Sequence, residues 1–248
     1  MASDPIHCVE FENAGKYLGE AWVFRGVDVN IPAAQVTAII GASGSGKTTL
    51  LRLINGLYRP DEGDVRVLGE NIPNKSPHLF RRKIGYAVQG AGLFPHMTIE
   101  SNITKLAKLG DWSSDRIRAR LDDLLDLTGL DADMKGRYPH ELSGGQQHRV
   151  SLCRALMLEP KLLLLDEPFS AIDAITRNEI QDAFIELQRK LAFSAVLVTH
   201  DYREATKLAH YLLVLGDHGI EQHGALHDVI ERPTSLFLRE LVETEAVA

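Results

Sequence analysis

Cysteine is scarce in this chain of 248 residues: there are two, Cys8 and Cys153, far apart in sequence. That usage excludes a disulfide-stapled scaffold and fits a reducing compartment. The net charge is −7, so the chain lacks the basic excess of a general nucleic-acid-binding surface, and no nucleic-acid partner is expected. No apolar run approaches the ~18 residues needed to span a bilayer. The runs "LLLL" and "YLLVL" are strand-sized. The opening residues, MASDPIHCVE, show no basic start followed by an apolar run, so no secretory signal is visible. Low-complexity segments and internal repeats are also missing.

What is present is ordinary for a soluble globular chain: 44% hydrophobic and 25% charged residues. The length suits one large α/β domain or a domain carrying a lobe. "IHCVEFEN" and "WVFRGVDVNIP" read as strands. "QVTAII", "KLLLLDEP" and "SAVLVTH" are short apolar runs that suit buried parallel strands. "YLLVLGDHGIEQHG" suggests a hairpin, and the last residues read as two short helices split at Pro233. Between about 95 and 158 the pattern turns helical. Ile117, Leu121, Leu124 and Leu125 share one helix face, as do Ile180, Phe184, Leu187 and Leu191 further on. Strand–helix alternation predicts a mainly parallel sheet covered by helices, interrupted by a helical insertion.

"IIGASGSGKTTLLRLI" fits G-x-x-x-x-G-K-[ST] with Gly41, Gly46, Lys47 and Thr48, after a strand and opening a helix. Small residues let successive backbone N–H groups face one concavity, and the helix start adds positive potential. The expected triphosphate-binding set is Gly41, Ser43, Gly44, Ser45, Gly46, Lys47, Thr48 and Thr49. Lys47 would reach the β- and γ-phosphates, and the Thr48 hydroxyl would ligate Mg²⁺. "KLLLLDEP" supplies two carboxylates. Asp166 would orient Mg²⁺ or its waters, and Glu167 would polarise the attacking water. Because side chains alternate along a strand, the two should point differently and do different work. On these two motifs alone, a hydrolase and a kinase both stay open.

"ELSGGQQHRV", residues 141–150, puts two adjacent glycines in front of a helix, where each weakens it by roughly 1 kcal/mol relative to alanine. One reading is an N-cap at Ser143 with spare glycines. However, "LSGGQQHR" ahead of "KLLLLDEP" resembles the signature sequence of ATP-binding cassette (ABC) ATPases. The resemblance runs from about residue 6 to 240, with the motifs in family order. It implies an ABC ATPase fold: a P-loop core with an N-terminal antiparallel β-subdomain (about 6–94 and 159–220), a helical signature subdomain (about 95–158) and C-terminal helices (about 221–248). It implies that Ser143, Gly144, Gly145 and Gln146 cap the γ-phosphate of ATP held by a second subunit. The glycines would then be required because two protein surfaces close over one triphosphate.

Position by position, Gln89 resembles the family glutamine that touches Mg²⁺ and the attacking water. Asp173, in "SAID", resembles the acidic member of the loop that crosses the dimer interface, with Ile172 where leucine is usual. His200 resembles the switch histidine at the γ-phosphate. Tyr17 matches the aromatic that stacks on adenine, with Trp22 and Phe24 as competitors. Three further histidines, His218, His223 and His227, read as a solvated hairpin edge rather than a metal site. His140 and His148, which flank the signature, are expected to serve packing or solvent.

The resemblance implies a homodimer binding two MgATP, docked on two membrane permease subunits at the cytoplasmic face of a bacterial inner membrane, with an extracytoplasmic solute-binding protein as an indirect partner. Phe94 and Met97 would line the groove receiving a permease helix. "GLFPHMT" and "D-A-I-T-R" are similar to ATPases driving uptake of glycine betaine and related quaternary amines. Importers of methionine, taurine, phosphonates or polar amino acids are the alternatives, and a soluble ABC ATPase a more distant one. The chain departs from that group at Gly90, where a second glutamine is frequent. It also stops at Ala248, where many members continue into a regulatory module.

Overall fold

The computed structural model of the chain describes residues 6–246, apart from Gln89, Ala171 and His218. They divide into two compact units: one runs to Arg81 and resumes at Ser194, and the other is Arg82–Phe193.

The first unit opens with two long strands, β1 (His7–Leu18) and β2 (Ala21–Pro32), paired antiparallel. The turn between them contains Gly19 at φ 63, a left-handed conformation that glycine adopts without strain. Phe11, Val27, Val29 and Ile31 are buried from these strands, and most of their neighbours face water. Next come β3 (Val36–Gly41), α1 (Lys47–Ile54), β4 (Glu62–Val67), β5 (Glu70–Asn71) and the short helix α2 (Pro77–Arg81). Strands β4 and β5 extend the first sheet in the order β2-β1-β4-β5.

The second unit holds β6 (Ile84–Ala87), α3 (Ile99–Lys108), α4 (Ser114–Thr128), α5 (Gly144–Leu156), β7 (Leu162–Asp166) and α6 (Ala174–Leu191). Strands β6 and β7 are parallel, with Ile84 opposite Leu162 and Ala87 opposite Leu165. Each of the four long helices begins at a residue whose side-chain oxygen accepts a backbone N–H: Thr98, Ser113, Ser143 and Asp173. Such caps satisfy donors that the helix itself leaves over. The spacing read from sequence on α4 is realised, since Ile117, Leu121, Leu124 and Leu125 are all buried.

Back in the first unit, β8 (Ser194–Val198) is followed by α7 (Tyr202–Leu208), β9 (Tyr211–Gly216), β10 (Gly219–Ala225), α8 (Leu226–Glu231) and α9 (Leu236–Ala246). Strand β3 pairs parallel with both β8 and β9, and β10 pairs antiparallel with β9. All residues of β3 and β8 are buried, as parallel strands covered on both faces should be. On one face Ala38, Ile40, Leu212 and Val214 pack with Ala205 and Ala209 and with Val229 and Leu238 of the C-terminal helices.

Both cysteines are buried free thiols. Burial pushes Cys8 up to about 11 and Cys153 up to about 12, which keeps them protonated and unreactive near neutral pH. His223 accepts or donates at Nδ1 to the Tyr211 hydroxyl at 2.7 Å, and His227 faces Glu231 at 3.4 Å. His218 lies outside the described residues. Among the described residues no helix is long and apolar enough to cross a membrane.

Candidate nucleotide site

In the first unit, the phosphate loop leaves the C-terminal end of β3 and enters α1. Gly46 caps the helix at φ 96, and a Cβ there would lie 2.6 Å from Val23 Cγ1 and 3.3 Å from Phe24 Cδ1. Both the backbone conformation and the close approach of β2 therefore require glycine. None of the described residues lies within 4 Å of a Cβ built on Gly44, and Ala42, Ser43 and Gly44 are exposed. Lys47 is buried, and its ammonium donates to the Gly41 and Ala42 carbonyls, both at 2.8 Å. The lysine thus lies back across the loop it would serve. Ser45 is only 4% exposed, and its hydroxyl has no hydrogen-bond partner among the described residues. A buried hydroxyl without a partner is costly, so its presence in a glycine-lined loop suits an anion supplied from outside. Thr48 and Thr49 are half-buried in the first turn of α1.

His200 follows the parallel neighbour of β3. Ile39 is level with Val198, and Thr199 donates its N–H to the Ile39 carbonyl at 3.2 Å. The register brings Gly41 and His200 to the same carboxyl edge of two adjacent parallel strands, where α/β sheets bind ligands. The turn is fixed from the other side by Asp201, which caps α7 by accepting the Arg203 and Glu204 N–H groups at 2.9 and 3.2 Å. His200 itself is exposed.

Of the three candidate aromatics, Phe24 is 1% exposed and belongs to the core, whereas Tyr17 is 42% exposed. Trp22 has the Arg25 guanidinium 4.8 Å over its ring and meets Tyr17 edge-on at 5.5 Å. The Trp22 ring is thus engaged by Arg25, and Tyr17 is the most exposed of the three. Asp61, which the sequence did not single out, anchors it. Its carboxylate accepts the Tyr17 N–H at 2.7 Å and pairs with Lys16 at 2.9 Å. The Lys16 hydrogen bond, reinforced by the Tyr17 N–H, holds this carboxyl below the usual range.

In the second unit, β7 ends at Asp166. The Tyr86 hydroxyl of β6 donates to Asp166 Oδ2 at 3.4 Å, another partner that sequence alone did not reveal. Glu167 does not continue the strand. Its φ is 45, a left-handed conformation rare for a side-chain-bearing residue and costing ~1–3 kcal/mol. The strand ends at Asp166, so the alternation expected from sequence does not extend to Glu167, whose backbone is left-handed. The turn is closed by Ser170, whose N–H and hydroxyl both donate to the Glu167 carbonyl, at 3.3 and 3.0 Å.

The signature opens α5 through a reciprocal cap. The Ser143 N–H donates to Gln146 Oε1 at 2.9 Å, and the Gln146 N–H donates to Ser143 Oγ at 3.3 Å. Gly144 is exposed with none of the described residues within 4 Å of a built Cβ, but a Cβ on Gly145 would sit 2.3 Å from Thr176 Cγ2 of α6. The chain's own packing thus calls for glycine at 145 but not at 144. Gly145 lets α5 and α6 of this same chain approach, while Gly144 leaves the outer face of the cap open. Asp173 caps α6 by accepting the Thr176 N–H at 3.0 Å, a bond that holds its carboxyl below the usual range. The same cap places Thr176 against Gly145. Gln89 lies outside the described residues; the segment after it is held by Arg154 of α5, which donates to the Gly92 and Ala91 carbonyls at 2.7 and 3.1 Å.

Phe94 is 41% exposed, and Met97 is half-buried. Both are positioned by Asn102, a fully buried residue whose amide donates to the Phe94, Met97 and Thr98 carbonyls, each at 3.1 Å. Its carbonyl accepts the Phe94 N–H at 2.8 Å, so the whole amide is satisfied.

A glycine-lined phosphate loop at the carboxyl edge of parallel strands, opening a helix with a buried lysine, defines a P-loop nucleotide-binding protein. The profile described as "ABC transporter" matches residues 24–170, and this chain, an ATP-binding ATPase, belongs to that family. It is 42% identical over 233 residues to the glycine betaine uptake system ATP-binding protein YehX of Escherichia coli (strain K12), covering 94% of this chain and 75% of that one. It is 43% identical over 229 residues to the glycine betaine/carnitine/choline transport ATP-binding protein OpuCA of Bacillus subtilis (strain 168), covering 92% of this chain but 60% of the relative. Among solved structures, the ATP-binding cassette MJ0796, in a dimeric post-hydrolysis state bound to ADP and Pi, superposes with a TM-score of 0.77 at 30% identity, covering 88% of this chain and 98% of that one.

Proposed function

We propose that this chain is the ATP-hydrolysing subunit of a bacterial importer for glycine betaine or a related quaternary amine. In this reading two copies sit on two membrane permease subunits at the cytoplasmic face of the inner membrane, fed by an extracytoplasmic solute-binding protein. One observation carries the reading: the signature cap at Ser143 and Gly144 is exposed and open on its outer face, in a chain that also carries a phosphate loop. Such a cap offers an anion site to a second copy. The YehX and OpuCA likenesses support the solute class.

Tyr17 stacks on adenine, and the loop from Gly41 to Thr49 cradles the phosphates. Asp166, Thr48 and Gln89 would hold Mg²⁺. Hard oxygen donors few in number suit that ion, because it takes most of its coordination from phosphate and water. When bound, the ion neutralises charge on the β- and γ-phosphate oxygens. Glu167 accepts a proton from the attacking water, and His200 donates to the γ-phosphate. Ser143 and the signature amides close on the triphosphate held by the other copy. ATP favours the closed dimer because it binds that state better than the open one. The loop ordered by Asn102, with Phe94 exposed on it, is the surface offered to a permease helix.

The experiment is uptake in cells lacking this protein, restored with the normal chain or with Lys47→Ala. Labelled glycine betaine, choline, carnitine, proline, methionine and taurine form the panel. Quaternary-amine uptake returns with the normal chain and not with Lys47→Ala. Recovery of methionine or taurine uptake instead keeps the importer and rejects the solute class.

A further inference from the structure

Tyr17 and Trp22 stand directly opposite each other on β1 and β2, beside the turn at Gly19. Their rings meet at 73° with centroids 5.5 Å apart. Rings so nearly perpendicular do not both lie flat against one planar base. With Tyr17 on the base face, Trp22 is not a second platform.

Trp22 instead has a seat built from three strands. Gly15 of β1 carries no side chain, and a Cβ there would lie 2.9 Å from Trp22 Cζ3, so the indole rests on bare backbone. The Arg25 guanidinium of β2 sits 4.8 Å from the centre of the indole. Arg25 is itself clamped by Glu62 of β4, Nε to Oε2 and Nη2 to Oε1, both at 2.7 Å. Two parallel bonds fix a guanidinium in orientation as well as in place. Glu62 stands opposite Gly15 in the β1–β4 register, so every part of the seat belongs to one sheet. The Asp61 bond to the Tyr17 N–H, by contrast, holds main chain and leaves the ring free to turn. Among the described residues, the one ring in contact with that of Tyr17 is Trp22.

We propose that Trp22 is a positioning residue for ATP: seated on Gly15, Arg25 and Glu62, it fixes the Tyr17 ring in its stacking orientation before the nucleotide arrives. A side chain ordered beforehand loses less freedom on binding, which raises affinity. The gain applies to ground and transition states alike, so it shows in KM and not in kcat. The inference rests on the reading of Tyr17 as the residue that stacks on adenine.

The test is steady-state hydrolysis and equilibrium binding of ATP by the purified chain, for Trp22→Leu, Tyr17→Leu, the two combined, and Arg25→Leu. Thermal midpoints are measured alongside. Trp22→Leu raises KM and Kd for ATP about three- to tenfold and leaves kcat within about twofold. Tyr17→Leu raises them at least as much. The double variant binds no more weakly than Tyr17→Leu alone, because a residue that acts through the tyrosine then has nothing to hold. Arg25→Leu keeps both rings but loosens the indole, and raises KM about two- to threefold. It carries the test if Trp22→Leu does not fold. Losses that multiply in the double variant overturn the proposal, since Trp22 would then act independently of Tyr17. So does an unchanged KM in Trp22→Leu or Arg25→Leu beside a raised one in Tyr17→Leu. If Tyr17→Leu itself binds ATP normally, the stacking reading falls and the proposal with it.

Discussion

Glu167→Gln leaves ATP binding intact, lowers turnover by at least ~10²-fold, and accumulates as an ATP-stabilised dimer. A positioned general base typically contributes ~10²–10⁴-fold, and an amide cannot take the proton of the attacking water. The substitution is isosteric, so the left-handed backbone and the Ser170 closure of the turn remain. Lys47 and its loop belong to the other unit and keep their bonds to the Gly41 and Ala42 carbonyls. Binding therefore survives while the exit from the closed state is lost. Size-exclusion chromatography with and without ATP, next to a phosphate-release assay, reads both halves. Normal turnover in this variant would place the base elsewhere.

Gly145→Ala destabilises the isolated chain by ~1–2 kcal/mol, whereas Gly144→Ala leaves its stability unchanged or raises it by up to ~1 kcal/mol. Alanine is favoured over glycine in a helix by ~1 kcal/mol at either position. At position 145 that gain is outweighed, because the new methyl would lie 2.3 Å from Thr176 Cγ2, and overpacking a filled site costs ~1–3 kcal/mol. Thr176→Ser removes that methyl and keeps the backbone N–H that donates to Asp173. In the Gly145→Ala background it should restore most of the loss. The next atom in reach is Ile180 Cδ1 at 3.6 Å, an ordinary contact. Urea midpoints of the four variants, analysed as a double-mutant cycle, measure this directly. Gly144→Ala has the opposite profile: a normally folded chain that dimerises poorly with ATP, because its methyl occupies the open outer face of the cap. If Gly145→Ala were as stable as Gly144→Ala, the intrachain reason for that glycine would be wrong.

Local pattern carried most of the fold and of the phosphate loop. Gly46 and Lys47 follow a buried strand and open a helix, and each long helix of the second unit starts at a Thr, Ser or Asp that the sequence displays plainly. What stayed illegible depends on partners distant in sequence. Nothing near Gly145 points to Thr176, thirty-one residues on, and nothing near Tyr17 points to Asp61, forty-four residues away. The Tyr86 bond to Asp166 spans eighty residues. The left-handed backbone of Glu167 was also hidden, since periodicity describes a strand and says nothing of the residue after its end.

The central claim is that the phosphate loop of one copy and the signature of another act on the same ATP. Mixing two inactive chains, Lys47→Ala and Ser143→Arg, tests it. In a mixed dimer, one site joins both defects and the other joins an intact loop to an intact signature. Each variant alone should show no turnover, and their mixture should recover a clear fraction of normal ATP hydrolysis. If the mixture stays as inactive as either variant alone, although the two chains are shown to associate, the shared-site account is contradicted.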